Sequence, residues 1–301
     1  MSVAFLFPGQ GSQHVGMGQA LYAAEPAARA VFDRADHLLG FPLTRLCFEG
    51  PEAALTDTLN QQPALYTAAF AAWRSLQAAG EPPPNFVAGH SLGEFTALAV
   101  AGALEFEAGL ALVRRRAELM QAAGQTQPGA MAAVLGLEAE TVAALCQQAS
   151  QAAGRPVQIA NDNCPGQLVI SGAAEALAEA GRLAEAAGAR RVLPLPITIA
   201  AHSPLMGPAA ADFAQAVDAT PFAAPAVPVI ANASAEPLTT AEAIRAELKA
   251  QLTAPVRWAD SMRFLLAQGV TAFVEVGPGE VLLGLMKRIE RSVERRKAGG
   301  L

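Results

Sequence analysis

The chain has 301 residues, 52% of them hydrophobic and 16% charged, with a net charge of −6. That is enough apolar chain for a large core, read as one main domain carrying an insertion, and its acidic balance gives no global field to attract nucleic acid. The cysteines, Cys47, Cys146 and Cys164, lie far apart without a C-x-x-C pair, which argues against a disulfide framework or zinc site and fits a reducing cytoplasm.

Residues 3–7, V-A-F-L-F, read as a buried first strand. The stretch is too short for a signal peptide and lacks a basic leader. No apolar run elsewhere reaches membrane-spanning length, so no membrane partner is expected. The strand opens into Pro8-Gly9-Gln10-Gly11-Ser12-Gln13, a loop of turn formers and carboxamides. Its spacing is neither that of a dinucleotide fingerprint nor of a P-loop. Helical pattern follows over about 16–39, with Pro26 restarting a helix in its first turn. Helices also fit 51–59 and 63–79, the second placing Leu65, Ala69, Ala72 and Leu76 on one face.

Next comes Gly89-His90-Ser91-Leu92-Gly93, between a short apolar run, 85–88, and an Ala/Leu-rich helix beginning at Leu92. A G-x-S-x-G at a strand-to-helix junction is the setting of a nucleophile elbow. The glycines permit close backbone approach, and the helix start aims free amides at the serine. An ordinary structural turn is the competing reading. The helix over 106–123 gathers Leu110, Leu112, Val113, Leu119, Met120 and Ala123 on one side, with Arg116 in their midst. Arg114 and Arg115 fall opposite, beside Glu118 and Gln121. A guanidinium buried among aliphatics needs a partner, either an internal carboxylate or a ligand anion. Its planar fork suits the two oxygens of a carboxylate.

From Gly129 the order becomes strand 130–137, helix 138–152, strands 156–161 and 167–171 around a Cys164-Pro165-Gly166 turn, helix 173–187 and strand 190–197. This β-α-β-β-α-β series predicts a ferredoxin-like insertion, 128–197, set into an α/β body formed by 1–127 and 198–301. The remainder alternates again: strand 227–232, helices 240–252 and 256–267, strand 272–276, and a helix to about Arg288. A mainly parallel sheet covered on both faces is expected. Residues 298–301 read as a frayed end.

A serine nucleophile requires a base, and the chain has four histidines. His37 reads as a surface residue of a helix. His90 leaves the strand on the face opposite Ser91, and His14 lies in the glycine loop. His202 follows an apolar strand, where a sheet's carboxyl edge would place it at a site, although a packing role is the alternative.

Taken together, P-G-Q-G-S-Q at Pro8, G-H-S-L-G-E at Gly89, R-A-E-L-M-Q at Arg116, N-C-P-G-Q at Asn163, His202 and E-V-G-P-G at Glu275 resemble the malonyl-CoA:acyl carrier protein transacylases and the acyltransferase domains of polyketide synthases, over essentially the whole chain. The resemblance implies an α/β-hydrolase-like body and ping-pong transfer of malonyl from malonyl-CoA to the phosphopantetheine thiol of acyl carrier protein. Ser91 would be the nucleophile, His202 the base and then acid, and the backbone amides of Gln10 and Leu92 the oxyanion hole. Arg116 would bind the malonyl carboxylate, and Gln251 would orient the histidine, chiefly through its carbonyl. Asn163 and Gln167 would line the site without acting in catalysis. No metal and no permanently bound cofactor are implied, and a cytoplasmic monomer is expected. One departure stands out: Ile199-Ala200-Ala201 before His202 leaves a small side chain, with room for a branched malonyl unit.

Two other functions compete. A serine hydrolase or thioesterase needs an acid between Ser91 and His202 in chain order, and the only aspartate there, Asp162, falls inside the insertion. A non-catalytic carrier-protein-binding subunit is the third. The basic residues Lys287, Arg288, Arg291, Arg295, Arg296 and Lys297 are either solvated charges or a surface for an acidic carrier protein.

Overall fold

The computed structural model describes residues 2–298. Strand β1, Ser2–Phe7, leads through helices α1, Gln19–Ala24, α2, Pro26–Leu39, α3, Leu43–Glu49, α4, Glu52–Thr56, and α5, Thr58–Ala78. Strand β2, Phe86–Gly89, precedes α6, Gly93–Val100, and α7, Phe106–Thr126. Then come β3, Ala130–Leu135, α8, Ala139–Ala153, β4, Val157–Cys164, β5, Gln167–Gly172, α9, Ala174–Ala186, and β6, Arg191–Pro194. The chain closes with α10, Gly207–Ala219, β7, Val229–Ile230, β8, Pro237–Leu238, α11, Ala241–Gln251, α12, Trp258–Ala267, β9, Val270–Val276, α13, Val281–Ile289, and β10, Glu294–Ala298.

Two sheets result. The larger runs β10-β9-β1-β2-β7-β8 and is parallel except for the β7–β8 pair. The smaller, β4-β5-β3-β6, is antiparallel throughout and carries α8 and α9 on one face, the ferredoxin-like arrangement expected for this stretch. Alternation along β1 sorts the main core. Phe5 and Phe7 pack with α2, α5, α6, α7 and α10, while Ala4 and Leu6 pack with Trp258, Met262 and Leu265 of α12 and Leu285 and Met286 of α13. The smaller sheet turns Met131, Ala160 and Val169 toward the body's core.

Several elements differ from expectation. The helix expected from Pro63 begins at Thr58, with Asp57 accepting the Leu59 N–H. Pro63 therefore lies inside α5, where it deprives the Leu59 carbonyl of its helical donor, and Arg114 Nη1 donates to that carbonyl at 2.9 Å instead. Val256 does not start a helix, because it bridges to Asn161 of β4: its N–H donates to the Ala160 carbonyl and its carbonyl accepts the Asp162 N–H. Helices α3 and α10 and strand β10 lie outside the elements expected from the sequence. Strand β10 is E-R-R-K-A on a sheet edge, where charge discourages further pairing. Ala298 ends it rather than fraying, and 299–301 lie outside the described residues. Arg296 there pairs with Glu81, and Arg295 donates to three carbonyls of its own turn, so the basic tail presents no single face. No described helix is long and apolar enough to cross a membrane.

The carboxyl ends of β1 and β2 lie side by side, Phe7 opposite Gly89, and Leu6 is opposite Glu275 of β9. The loops that follow, at Pro8, His90 and Gly277, converge on one edge, the usual location for a site in such a sheet.

Candidate active site

Ser91 sits at the top of the turn between β2 and α6 with φ of 50°, in the left-handed region that strains a residue bearing a side chain. The turn closes only because its flanks are glycine. A Cβ on Gly89 would come within 1.9 Å of the Gly93 carbonyl carbon, and one on Gly93 within 2.1 Å of the Phe7 oxygen. Asn232, just beyond β7, fastens the turn: its Oδ1 accepts the Ser91 N–H at 2.7 Å and its Nδ2 donates to the Gly89 carbonyl at 2.8 Å.

His202 meets the serine from the far end of the chain, its Nε2 2.8 Å from Ser91 Oγ. Its Nδ1 faces the carbonyls of Gln251 at 2.8 Å and Ala254 at 3.1 Å. Carbonyls only accept, so the proton belongs on Nδ1, and Nε2 is left with a lone pair for the serine hydroxyl. Burial and the Arg116 charge hold the imidazole's pKa down to about 3, so the ring is neutral at physiological pH. Asp162 takes no part: its neighbours are Arg263, Arg257 and Asp260, and backbone carbonyls occupy the position of a hydrolase triad's acid.

Arg116 is buried in α7 as its apolar surroundings predict. No carboxylate lies within ion-pair distance of it among the described residues. Its Nη1 donates to Gln62 Oε1 at 2.7 Å, and its Nη2 to Ser91 Oγ and Gln251 Oε1, both at 3.1 Å. Its Nε–H has no partner at all. Burial lowers its pKa to about 10, and the guanidinium stays charged. Arg114 and Arg115 face Glu118 on the opposite side.

Leu92 follows the serine and Gln10 shares its cavity, and neither backbone N–H finds a protein acceptor among the described residues. Gln10 lines a cavity of about 700 Å³ with Ser91 and His202, walled by Met120, Met131 and Ile199. Asn163 and Gln167 line it as well. His90 lines the cavity too but does not bond Ser91: its Nε2 meets Asn163 Oδ1 at 2.8 Å and its ring packs on Trp258. His14 and His37 are exposed, and neither lines this cavity. Residue patterns gave no reason to single out Gln62, Asn232 or Gln158, whose partners lie far along the chain, and Glu94 passed only as the last letter of a motif. No group of three or more metal-ligating side chains is found among the described residues.

A family model for the acyl transferase domain matches residues 4–298. The malonyl CoA-acyl carrier protein transacylase of Bacillus subtilis (strain 168) is 46% identical over 292 residues, 97% of this chain and 92% of that one. The chain belongs to this transacylase family. Among solved structures, an acyl carrier protein S-malonyltransferase from Vibrio cholerae superposes with a TM-score of 0.97 at 42% identity, covering 100% of this chain and 98% of its own. A malonyl-transacylase in complex with a holo type II polyketide acyl carrier protein gives 0.96 at 41% identity, covering 100% and 97%. The mainly parallel sheet and small antiparallel sheet of this chain are thus the transacylase fold over its full length.

Proposed function

We propose that the chain transfers malonyl from malonyl-CoA to the phosphopantetheine thiol of an acyl carrier protein, in two half-reactions through Ser91. His202 Nε2 takes the hydroxyl proton as Ser91 Oγ attacks the thioester carbonyl. The oxyanion develops toward the free N–H groups of Gln10 and Leu92, where such donors are worth about 3 kcal/mol each. Collapse expels the CoA thiolate, which takes the proton from His202 and leaves malonyl-Ser91. The carrier thiol then gives its proton to His202 and attacks the ester, and collapse returns that proton to Ser91 Oγ.

One observation carries this reading: a buried, carboxylate-free guanidinium and a neutral imidazole both contact Ser91 Oγ. Arg116 touches Ser91 Oγ and has no anion of its own, so an acyl group's free carboxylate is the partner its charge calls for. The relatives act on malonyl-CoA and acyl carrier protein by name, and one was solved with its carrier bound. The body, 1–127 and 198–301, supplies Ser91, Arg116 and His202, and the insertion, 128–197, supplies one wall of the cavity. Lys287 and Arg288 stand exposed on α13, Arg288 beside the cavity, where it donates to the Pro165 carbonyl, and they suit an acidic carrier better than the dispersed residues of β10.

Intact-mass measurement after incubation with malonyl-CoA tests the reading. A single malonyl adduct mapping to Ser91 is expected, discharged faster by holo carrier protein than by buffer. No adduct, or one on another residue, defeats the proposal, and equal discharge by water would make the chain a hydrolase. The same measurement with 2-methylmalonyl-CoA probes the room left beside Ala201.

A further inference from the structure

Glu94 is buried one turn beyond Ser91, in α6, and does not line the cavity. Its Oε1 accepts the Asn232 backbone N–H at 3.0 Å, and its Oε2 accepts a short hydrogen bond from Gln251 Nε2. The same Nε2 reaches the Ser91 carbonyl at 3.0 Å, while Gln251 Oε1 accepts from Arg116. One carboxylate thus anchors both amides that contact the serine, and one of them contacts the guanidinium.

We propose that Glu94 is a positioning residue that biases the site toward acyl groups bearing a carboxylate, by holding Arg116 through the Gln251 amide instead of pairing with it. This rests on Arg116 being the receptor for that carboxylate. Both Glu94 oxygens accept here, so the NH2 end of Gln251 faces the carboxyl and Oε1 is left for the guanidinium. A direct Glu–Arg pair would satisfy the cation and compete with substrate. The intervening neutral amide fixes the orientation of the guanidinium and keeps the Glu94 carboxyl from pairing with it directly. Glu247, which lies beside Glu94, instead accepts the Ala233 N–H at 2.8 Å and has no hydrogen bond to Gln251.

The test is E94Q. An amide at 94 offers one acceptor to two donors, so the Gln251 side chain turns and presents its NH2 to Arg116. Acylation of Ser91 is followed by mass with malonyl-CoA and with acetyl-CoA. In E94Q the malonyl kcat/KM falls about tenfold, mostly through KM, while the acetyl value falls no more than about threefold, the scale of one charge-assisted hydrogen bond. E247Q leaves the malonyl-to-acetyl ratio unchanged. Should E94Q fail to fold, Gln251→Met cuts the same connection one link later and lowers the same ratio. An unchanged ratio in a folded variant, or equal loss for both acyl groups, overturns the inference while malonyl transfer by the wild type stands. A wild type that takes up no malonyl removes the reading beneath it.

Discussion

Ser91 and His202 lie 111 residues apart in the chain, face each other across 2.8 Å, and both hold left-handed backbone, with φ of 50° and 57°. Two strained residues meeting at one hydrogen bond mark where the fold spends conformational energy to fix a geometry. The imidazole in that pair is shifted from an ordinary 6.5 to about 3. The rate of Ser91 acylation should therefore show no acid limb near pH 6.5, and should stay flat from about pH 8 down to about pH 5. A limb centred near 6.5 in kcat/KM against pH would show that the imidazole keeps its ordinary pKa in the site.

The same shift has a stability consequence of definite sign. Between pH 6.5 and about 3 the unfolded chain binds a proton at residue 202 that the native chain refuses. Native stability from this group therefore falls as pH drops through that window. Burial of His90 acts in the same direction, whereas the raised carboxyls of Glu94, Glu247 and Glu275 act oppositely. The raw slope mixes these, so the difference in melting temperature between wild type and His202→Asn is the quantity to measure. That difference should move in favour of the variant as pH falls from about 7 to 5.

Arg116→Ala removes the charge while leaving the Ser91–His202 pair. Malonyl acylation of Ser91 should drop at least about thirtyfold, since truncating one side of a buried charged contact costs about 2–5 kcal/mol, while acetyl acylation persists. Arg116→Lys should not restore malonyl acylation, because an ammonium cannot reach Gln62, Gln251 and Ser91 together with a substrate carboxylate. Equal losses for malonyl and acetyl would make Arg116 a structural residue.

Local pattern carried much of this. Period-two and period-3.6 apolar spacing exposed the β-α-β-β-α-β insertion, the elbow's strand and helix, and the burial of Arg116. What it missed depended on distant partners. Pro63 looked like a helix start because nothing nearby in sequence says that Arg114 will serve the Leu59 carbonyl. Val256 looked helical because its bridge to Asn161 spans the two sheets. Asn232 and Glu94 each join segments more than a hundred residues apart, and composition gives no trace of that.

Glycines separate into two classes by what surrounds them. Gly89→Ala and Gly93→Ala would drive a Cβ to within 1.9 and 2.1 Å of backbone, so neither variant should yield soluble, folded protein. Gly284, exposed in α13 with open space around it, is the contrast. Gly284→Ala should raise stability by about 0.5–1 kcal/mol, the helix propensity difference, as read in a denaturant midpoint.

Gln158 of β4 ties the smaller sheet to the histidine. Its Nε2 donates to the His202 carbonyl at 2.8 Å and to the Thr253 carbonyl at 2.9 Å, drawing the strained His202 backbone toward the segment whose carbonyls hold Nδ1. Gln158→Met keeps the length and removes the donor. The imidazole should then wander from Ser91 without any change at Arg116. The expected result is a kcat lowered about three- to tenfold for malonyl and acetyl alike, as for the loss of about 1 kcal/mol of orientation, with KM for malonyl-CoA unchanged. That pattern is the reverse of the one expected for E94Q, and a rise in KM alone would show that Gln158 acts on substrate binding rather than on the base.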